Sequence, residues 1–171
     1  MALPTAQEIE TMLGKIKKFP YLVSVGSTSM APLAGAPTAE PDIETADVTL
    51  YETGTEVQAR YVTKNSVTLT IRTRNIDAAM PLLEAVKKGD NMLAAANKKT
   101  ITLVPITSET ETTITFDNAY LNPGLSYAPG EGSDPNVVTL TYECKADPTR
   151  GTPFTYGSGS SSSSSNSSTP A

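Results

Sequence analysis

The sequence predicts a mainly β, antiparallel domain, a sandwich or partial barrel, with one central helix and a short helix near the N-terminus. Three observations lead there. Polar and apolar residues alternate with a period of two through residues 56–62 and again through 67–72, as in a half-buried strand. Further β-type segments fill the chain beyond residue 100, and only two stretches keep helical spacing. The foldable part is residues 1–156. Residues 157–171 are nearly all Ser, Gly and Asn, a composition that buries nothing and reads as a flexible tail.

Residues 5–18 read as the first helix. Thr5 is its cap, Glu8 the capping-box partner, and Ile9, Leu13 and Ile16 mark one face. Lys15, Lys17 and Lys18 suit the negative end of its dipole, and Phe19-Pro20 ends it. A short strand follows at 21–25. Residues 26–46, with Pro32, Pro37 and Pro41 among Ala and Gly, read as a long irregular stretch. So long a loop is unusual in a compact domain, so it is either disordered or ordered by contact with something else.

From Asp47 the chain turns to β. A strand begins at Val48, Thr53-Gly54 makes a turn, and Val57, Ala59 and Tyr61 alternate with Glu56, Gln58 and Arg60. Lys64-Asn65 reads as a second turn, after which Val67, Leu69 and Ile71 alternate with Thr68, Thr70 and Arg72. The central helix starts at an Asp77 cap, carries Met80, Leu82, Leu83 and Val86, and closes on Lys87-Lys88-Gly89. Pro81 falls early enough to be tolerated. Strands are expected at 100–106, 111–118, 136–146 and 152–156, with a second long loop at 121–135.

Composition excludes much. The formal net charge is −5, from 13 basic and 18 acidic residues, a balance that disfavours adhesion to nucleic acid or anionic membrane. No apolar run approaches the length of a membrane span and no leader pattern opens the chain, so folding in a cytoplasm is expected. There is no histidine and one cysteine, Cys144. Zinc or copper sites built on those ligands, His-dependent triads and an intrachain disulfide therefore have no material. Cys144 lies in the alternation of a strand and reads as a buried thiol. No phosphate-binding glycine loop occurs, and no pair of carboxylates stands out as catalytic. No enzymatic activity and no cofactor are expected. With no Trp and 6% aromatics, a sugar-binding platform is weakly supported, and most of Tyr51, Tyr61, Tyr120, Tyr127, Tyr142 and Tyr156 fall where core or loop anchoring explains them.

The polar strand faces are rich in threonine: Thr68, Thr70, Thr100, Thr102, Thr113, Thr115, Thr139 and Thr141. Thr fits a pleated surface and pairs with Thr across strands. Such a face is either an ordinary solvated one or the lining of a wet channel in an oligomer.

The order of elements resembles the tail-tube proteins of long-tailed bacteriophages and their relatives in contractile injection and type VI secretion systems. The resemblance spans residues 45–156. It rests on the segment 56–74, the helix ending at Gly89, and Ile114-Thr-Phe-Asp-Asn-Ala-Tyr-Leu with Val137-Val-Thr-Leu-Thr-Tyr, closing on Pro153-Phe-Thr-Tyr. The N-terminal helix and the Ser-rich tail depart from it. The resemblance implies a structural virion protein forming hexameric rings that stack head to tail, with a continuous inner β-barrel around a lumen that conducts DNA without binding it specifically. It implies assembly in the host cytoplasm into the tail, with partners in further copies, a tape-measure protein, a terminator, baseplate proteins and, in contractile systems, a sheath, and none in a membrane. Glu56, Gln58, Arg60, Thr68, Thr70 and Arg72 are then the expected lumen-facing set, and Met30, Pro32, Leu33, Pro37 and Pro41 belong to an inter-ring arm formed by residues 26–46. The alternatives are a tail terminator or baseplate-proximal tube protein of the same fold, or a non-viral surface binding module.

Overall fold

The computed structural model of the chain describes residues 5–14, 20–106 and 112–157. Among them are nine strands: β1 (Tyr21–Val25), β2 (Thr28–Ser29), β3 (Thr38–Thr49), β4 (Val57–Thr73), β5 (Lys99–Pro105), β6 (Ile114–Asn122), β7 (Tyr127–Ala128), β8 (Val137–Lys145) and β9 (Thr155–Tyr156). They form one sheet in the order β2-β1-β5-β6-β8-β4-β3, with β7 on β8 and β9 on β6. Every pairing is antiparallel. Two helices accompany it, α1 (Ala6–Gly14) and α2 (Ile76–Glu84).

The buried residues alternate along the strands as a half-buried sheet requires. Val23, Val25, Leu69, Ile71, Ile101, Leu103, Phe116, Val138, Leu140, Tyr142 and Cys144 all point to one face, and Ala79 of α2 joins them. The sheet does not close into a barrel, but it rolls toward itself. The segment after β2 hydrogen-bonds β1 through Met30 N–H to the Val23 carbonyl (2.8 Å). Two residues later it reaches the far side, where Arg74 N–H donates to the Pro32 carbonyl and Ala34 N–H to the Arg72 carbonyl, both at 2.8 Å. Met30, fully buried, fills the space beneath this crossing.

The crossing is held by two polar side chains at the β4–α2 junction. Thr73, fully buried, donates its hydroxyl to the Met30 carbonyl and accepts from Asn75 N–H (2.9 Å). The Asn75 amide donates to the Ala31 carbonyl (2.9 Å), while its oxygen accepts from Ala78 N–H (3.2 Å) and caps α2. Asn75, not Asp77, is therefore the N-cap, because its oxygen reaches the third residue on. The helix stops at Glu84, so Lys87 and Lys88 lie beyond its last turn, and Gly89 takes the positive φ (97°) anticipated for it.

Other expectations change with the structure. Residues 26–46 are not one irregular stretch: β2 and most of β3 form within them. Lys64-Asn65 is no turn, since β4 runs straight through it for 17 residues. The hairpin is β3–β4, turning at a short 3-10 turn and Gly54, whose φ of 73° favours glycine. The long loop after β6 contains β7. Strand bounds at 99–105, 137–145 and 155–156 agree with expectation to within a few residues, whereas β6 is displaced C-terminally to Asn122. The α1 capping box forms as read, with Glu8 Oε2 accepting from Thr5 N–H (2.7 Å) and its hydroxyl (2.9 Å). Ile16, Lys15, Lys17, Lys18 and Phe19, the start of the predicted 111–118 strand and the Ser-rich tail beyond Gly157 lie outside the described residues.

Thr73→Val removes the hydroxyl while keeping the shape, leaving the Met30 carbonyl unpaired in the core. Urea unfolding should show a loss of about 1–3 kcal/mol; an unchanged midpoint would mean that the crossing is held elsewhere.

Candidate assembly surfaces

Register defines the sheet face opposite the core, which the loop residues Met92, Leu93 and Pro123 border. Residues directly opposite one another share a face. Thr38, Thr70, Thr141 and Asn122 form one row across β3, β4, β8 and β6, and Glu40, Thr68, Glu143 and Tyr120 the next. Arg72 opposes Thr139, and Thr102 opposes Thr115. Thr100 alternates with buried Ile101, so the strand-borne threonines singled out in the sequence lie together on this outer face. Thr113 precedes β6.

A cleft of about 380 Å³ in this face is lined by Asp42, Lys64, Thr68, Tyr120, Thr141 and Glu143, among others. Lys64 Nζ lies 2.7 Å from Asp42 and 3.7 Å from Glu44. The hydrogen bond to Asp42, helped by the nearby Glu44 and Glu143 charges, holds the Lys64 ammonium above its usual range. Three carboxylates around one ammonium leave the surface locally negative. Among the described residues no group of side chains is arranged to hold a metal ion.

The β3–β4 hairpin is the second surface. β8 pairs with β4 only from Ser66 to Thr73, so residues 43–49 and 57–65 extend beyond the sheet as a two-stranded ribbon. Within it the register shifts: Glu44 faces Lys64 but Thr45 faces Val62, which makes Thr63 the extra residue of a bulge. A one-residue insertion reverses which face each later side chain takes. Arg60, opposite Asp47, therefore lies on the core-side face, while Thr68 and Thr70 lie on the outer one. Gln58 is the extra residue at a second shift, and Glu56 precedes the strand. The expected lumen set is thus divided: Thr68, Thr70 and Arg72 share the outer face, and Glu56, Gln58 and Arg60 do not join them there.

Both faces of the ribbon expose apolar side chains: Ile43, Val57 and Val62 on one, Val48 and Tyr61 on the other, with Leu50 and Tyr51 at the tip. Tyr51 is 97% exposed. Residues 38–64 carry six acidic and two basic residues, so most of the chain's net charge of −5 arises in this segment. Arg60 pairs with Asp47 at 2.6 and 2.9 Å, and this bond holds the Asp47 carboxyl below its usual range.

The residues expected in an arm are dispersed. Met30 is core and unavailable to a neighbour, Leu33 bridges to Thr73, and Pro41 lies in β3, an edge strand in which proline is tolerated. Pro32 and Pro37 line an apolar groove beside β1. Of the six tyrosines considered for sugar binding, only Tyr142 is core; Tyr51, Tyr61, Tyr127 and Tyr156 are exposed. The sequence carried no signal for that exposure, because a two-faced ribbon and a core strand draw on the same residue types.

No known family's sequence profile matches the chain, and no curated protein matches it significantly. Solved structures do. The chain is similar to the tube-terminating cap of the anti-feeding prophage, at 11% identity and a TM-score of 0.59 over 93% of this chain and 95% of that one. It is also similar to a chain of the PVC extracellular contractile injection system's sheath–tube complex in the extended state (15% identity, TM-score 0.57, 82% and 94% covered). A third likeness is to that system's sheath/tube terminator (16%, 0.56, 75% and 91%). The fold is therefore one found among structural components of contractile injection particles.

Cys144 and Tyr142 provide a check on the core. Burial pushes the thiol up to about 12, with a smaller contribution from Glu143, and the Tyr142 phenol likewise to about 12, with a smaller contribution from Cys144. Folded chains keep these protons at pH values where unfolded chains have lost them. Their contribution is full below the unfolded thiol value of 9.0 and is lost as pH rises toward 12. Urea midpoints should fall progressively above pH 9, less steeply in Cys144→Ala, and Cys144 should resist thiol reagents until the chain unfolds.

Proposed function

We propose that this chain is a structural, non-catalytic subunit that assembles head to tail into rings, which stack into the tube of a phage tail or related injection particle. The observation that carries this reading is the β3–β4 ribbon. A lone two-stranded ribbon is marginal in water, and this one exposes apolar side chains on both faces at once. Neighbouring copies on either side would cover them, and would also pair the free edge of β3. The inter-ring arm role expected for residues 26–46 passes to this ribbon. A heterologous contact of this kind closes into a ring by rotation and extends by stacking.

In such a ring the outer, threonine-bearing sheet face lines the lumen, with Thr68, Thr70 and Arg72 joined by Thr139, Thr141 and Glu143. Short hydroxyls beside a net negative surface let DNA pass without being held, because affinity for the phosphate backbone comes from cations that release its counterions. Six subunits per ring, a tape-measure protein within the lumen and a sheath, terminator or baseplate as neighbours follow from the same reading.

A second reading is favoured by one observation. The similarity to the tube-terminating cap covers 93% of this chain, and a subunit that makes a single capping ring fits the fold as well. Negative-stain microscopy with light scattering across concentrations separates the two. Tubes with an axial repeat support the tube subunit, a stable single ring supports the cap, and a monomer at every concentration refutes both.

Tyr61→Asp with Val62→Asp should leave the fold intact, because both side chains are more than half exposed, yet raise the concentration needed for assembly by about tenfold or more. Normal assembly of this variant would exclude the ribbon as the joining element. A thiol reagent carried on a large dextran should reach Thr141→Cys in free subunits but not in tubes; equal labelling in both would put this face outside.

A further inference from the structure

Helix α1 has no packing partner among the described residues. Its capping box is complete, yet Ile9, Met12 and Leu13 are 43–55% exposed and none of its residues is buried. The concavity along its side is lined by α1's own turns and by Thr5 alone. Nine residues are too few to hold a helix in water, where about 12–15 are needed even for good formers, so its apolar stripe requires a surface elsewhere.

The same chain offers one. At the end of the sheet where β1 begins lies an apolar groove of about 420 Å³, lined by Tyr21, Leu22, Pro32, Leu33, Pro37 and Ile106 among others. Leu22 and Ile106 are among the exposed large apolar residues. Two exposed cations stand beside the segment that forms one wall. Arg72 and Arg74 flank the segment through backbone bonds to Ala34 and Pro32, and neither has an ion-pair partner among the described residues. Helix α1 carries Glu8 and Glu10 and no cation. Apolar stripe matches apolar groove, and acidic flank matches these two cations.

The chain between Gly14 and Pro20 spans at most about 20 Å, and Pro20 is itself on the groove's lip. The groove is therefore within reach of its own α1, which nonetheless leaves it open. We infer that α1 of one copy docks in the groove of a second copy, the lateral neighbour at the same end of the ring. The inference rests on self-assembly but assigns a contact separate from the β3–β4 ribbon, which leaves the sheet at the opposite end. The two contacts then have different tasks: the ribbon and the free β3 edge join the copies, and α1 latches neighbours at the other end of the sheet.

Cysteine cross-linking tests this, because Cys144 is fully buried and silent. Chains carrying Met12→Cys are mixed with chains carrying Ile106→Cys, assembled and oxidised. A covalent dimer is expected in the mixture at about tenfold or more the yield of either chain alone. Arg74→Glu should reduce that yield, and adding Glu10→Arg should restore it. Four outcomes overturn the inference. Rings or tubes that form with no cross-link in the mixture leave self-assembly standing and remove the latch. An intramolecular disulfide in a dilute chain carrying both substitutions shows α1 in its own groove. A cross-link from Tyr51→Cys to Ile106→Cys in place of the Met12 one shows the ribbon tip as occupant. A chain that stays monomeric under all conditions overturns the latch and the assembly together.

Discussion

The structure depends on a clasp between the Thr73–Asn75 junction and the backbone of residues 29–32. β1 and β4 are separated in the sheet by three strands, yet the chain passes from one to the other within a few residues. Only a rolled sheet permits that, and the roll is stabilised where Thr73 and Asn75 satisfy the carbonyls of Ser29, Met30 and Ala31. The Met30 and Ala31 carbonyls lie beyond the β2 ladder, and leaving the buried Met30 acceptor unpaired would cost about 1–3 kcal/mol. The same two residues start α2. One polar junction thus sets how far the sheet curls, seats Met30 in the core and places the helix against it.

The β3–β4 ribbon follows from that arrangement. Once the crossing segment delivers the chain to the outside of β4, β3 can pair only with β4, and it does so beyond the end of β8. The ion pairs on the ribbon do little to hold it. Arg60–Asp47 and Lys64–Asp42 are solvent-exposed pairs, and such pairs contribute about 0–1 kcal/mol each. Their use is in register: across the bulge at Thr63 they match Asp47 to Arg60 on one face and Asp42 to Lys64 on the other. Apolar contact with other copies is what can stabilise the ribbon.

Much of the fold was legible in the residues. Leu69, Ile71, Leu140 and Tyr142 alternate cleanly because only one face of their strands is wet, and the Thr5–Glu8 box is a local chemical pattern needing no tertiary context. β3 was not legible. Its residues, Thr-Ala-Glu-Pro-Asp-Ile-Glu-Thr-Ala-Asp-Val-Thr, are exposed on both faces almost throughout, so nothing imposes a period of two, and Pro41 reads as a breaker until the strand is known to be an edge. That the six polar residues from Glu56 to Arg72 do not share one face was hidden for a related reason. Even-numbered residues from Glu56 to Arg72 look like one face, but a bulge changes parity, and Thr63 differs in no visible way from its neighbours. The threonines share a face because Thr68 and Thr70 lie beyond that bulge and the register sets Thr141 opposite Thr70 and Thr139 opposite Arg72.

Charge and shape then divide the molecule by task. The acidic residues concentrate in the ribbon and on the outer face near Lys64, whereas Arg72 and Arg74 stand at the opposite end of β4. In the proposed assembly the acidic ribbon of one copy would repel the ribbon of another, which disfavours ribbon-to-ribbon pairing and gives the stack a direction. Apolar patches alone lack that polarity, because they join in any orientation that covers them. In the proposed assembly the apolar side chains of the ribbon and of α1 would supply the attraction, and the ribbon's charges the direction. A threonine-lined face suits the proposed conduit for a polyanion, since the outer-face cations Lys64 and Lys145 both stand beside Glu143 and Arg72 lies at the end of its strand.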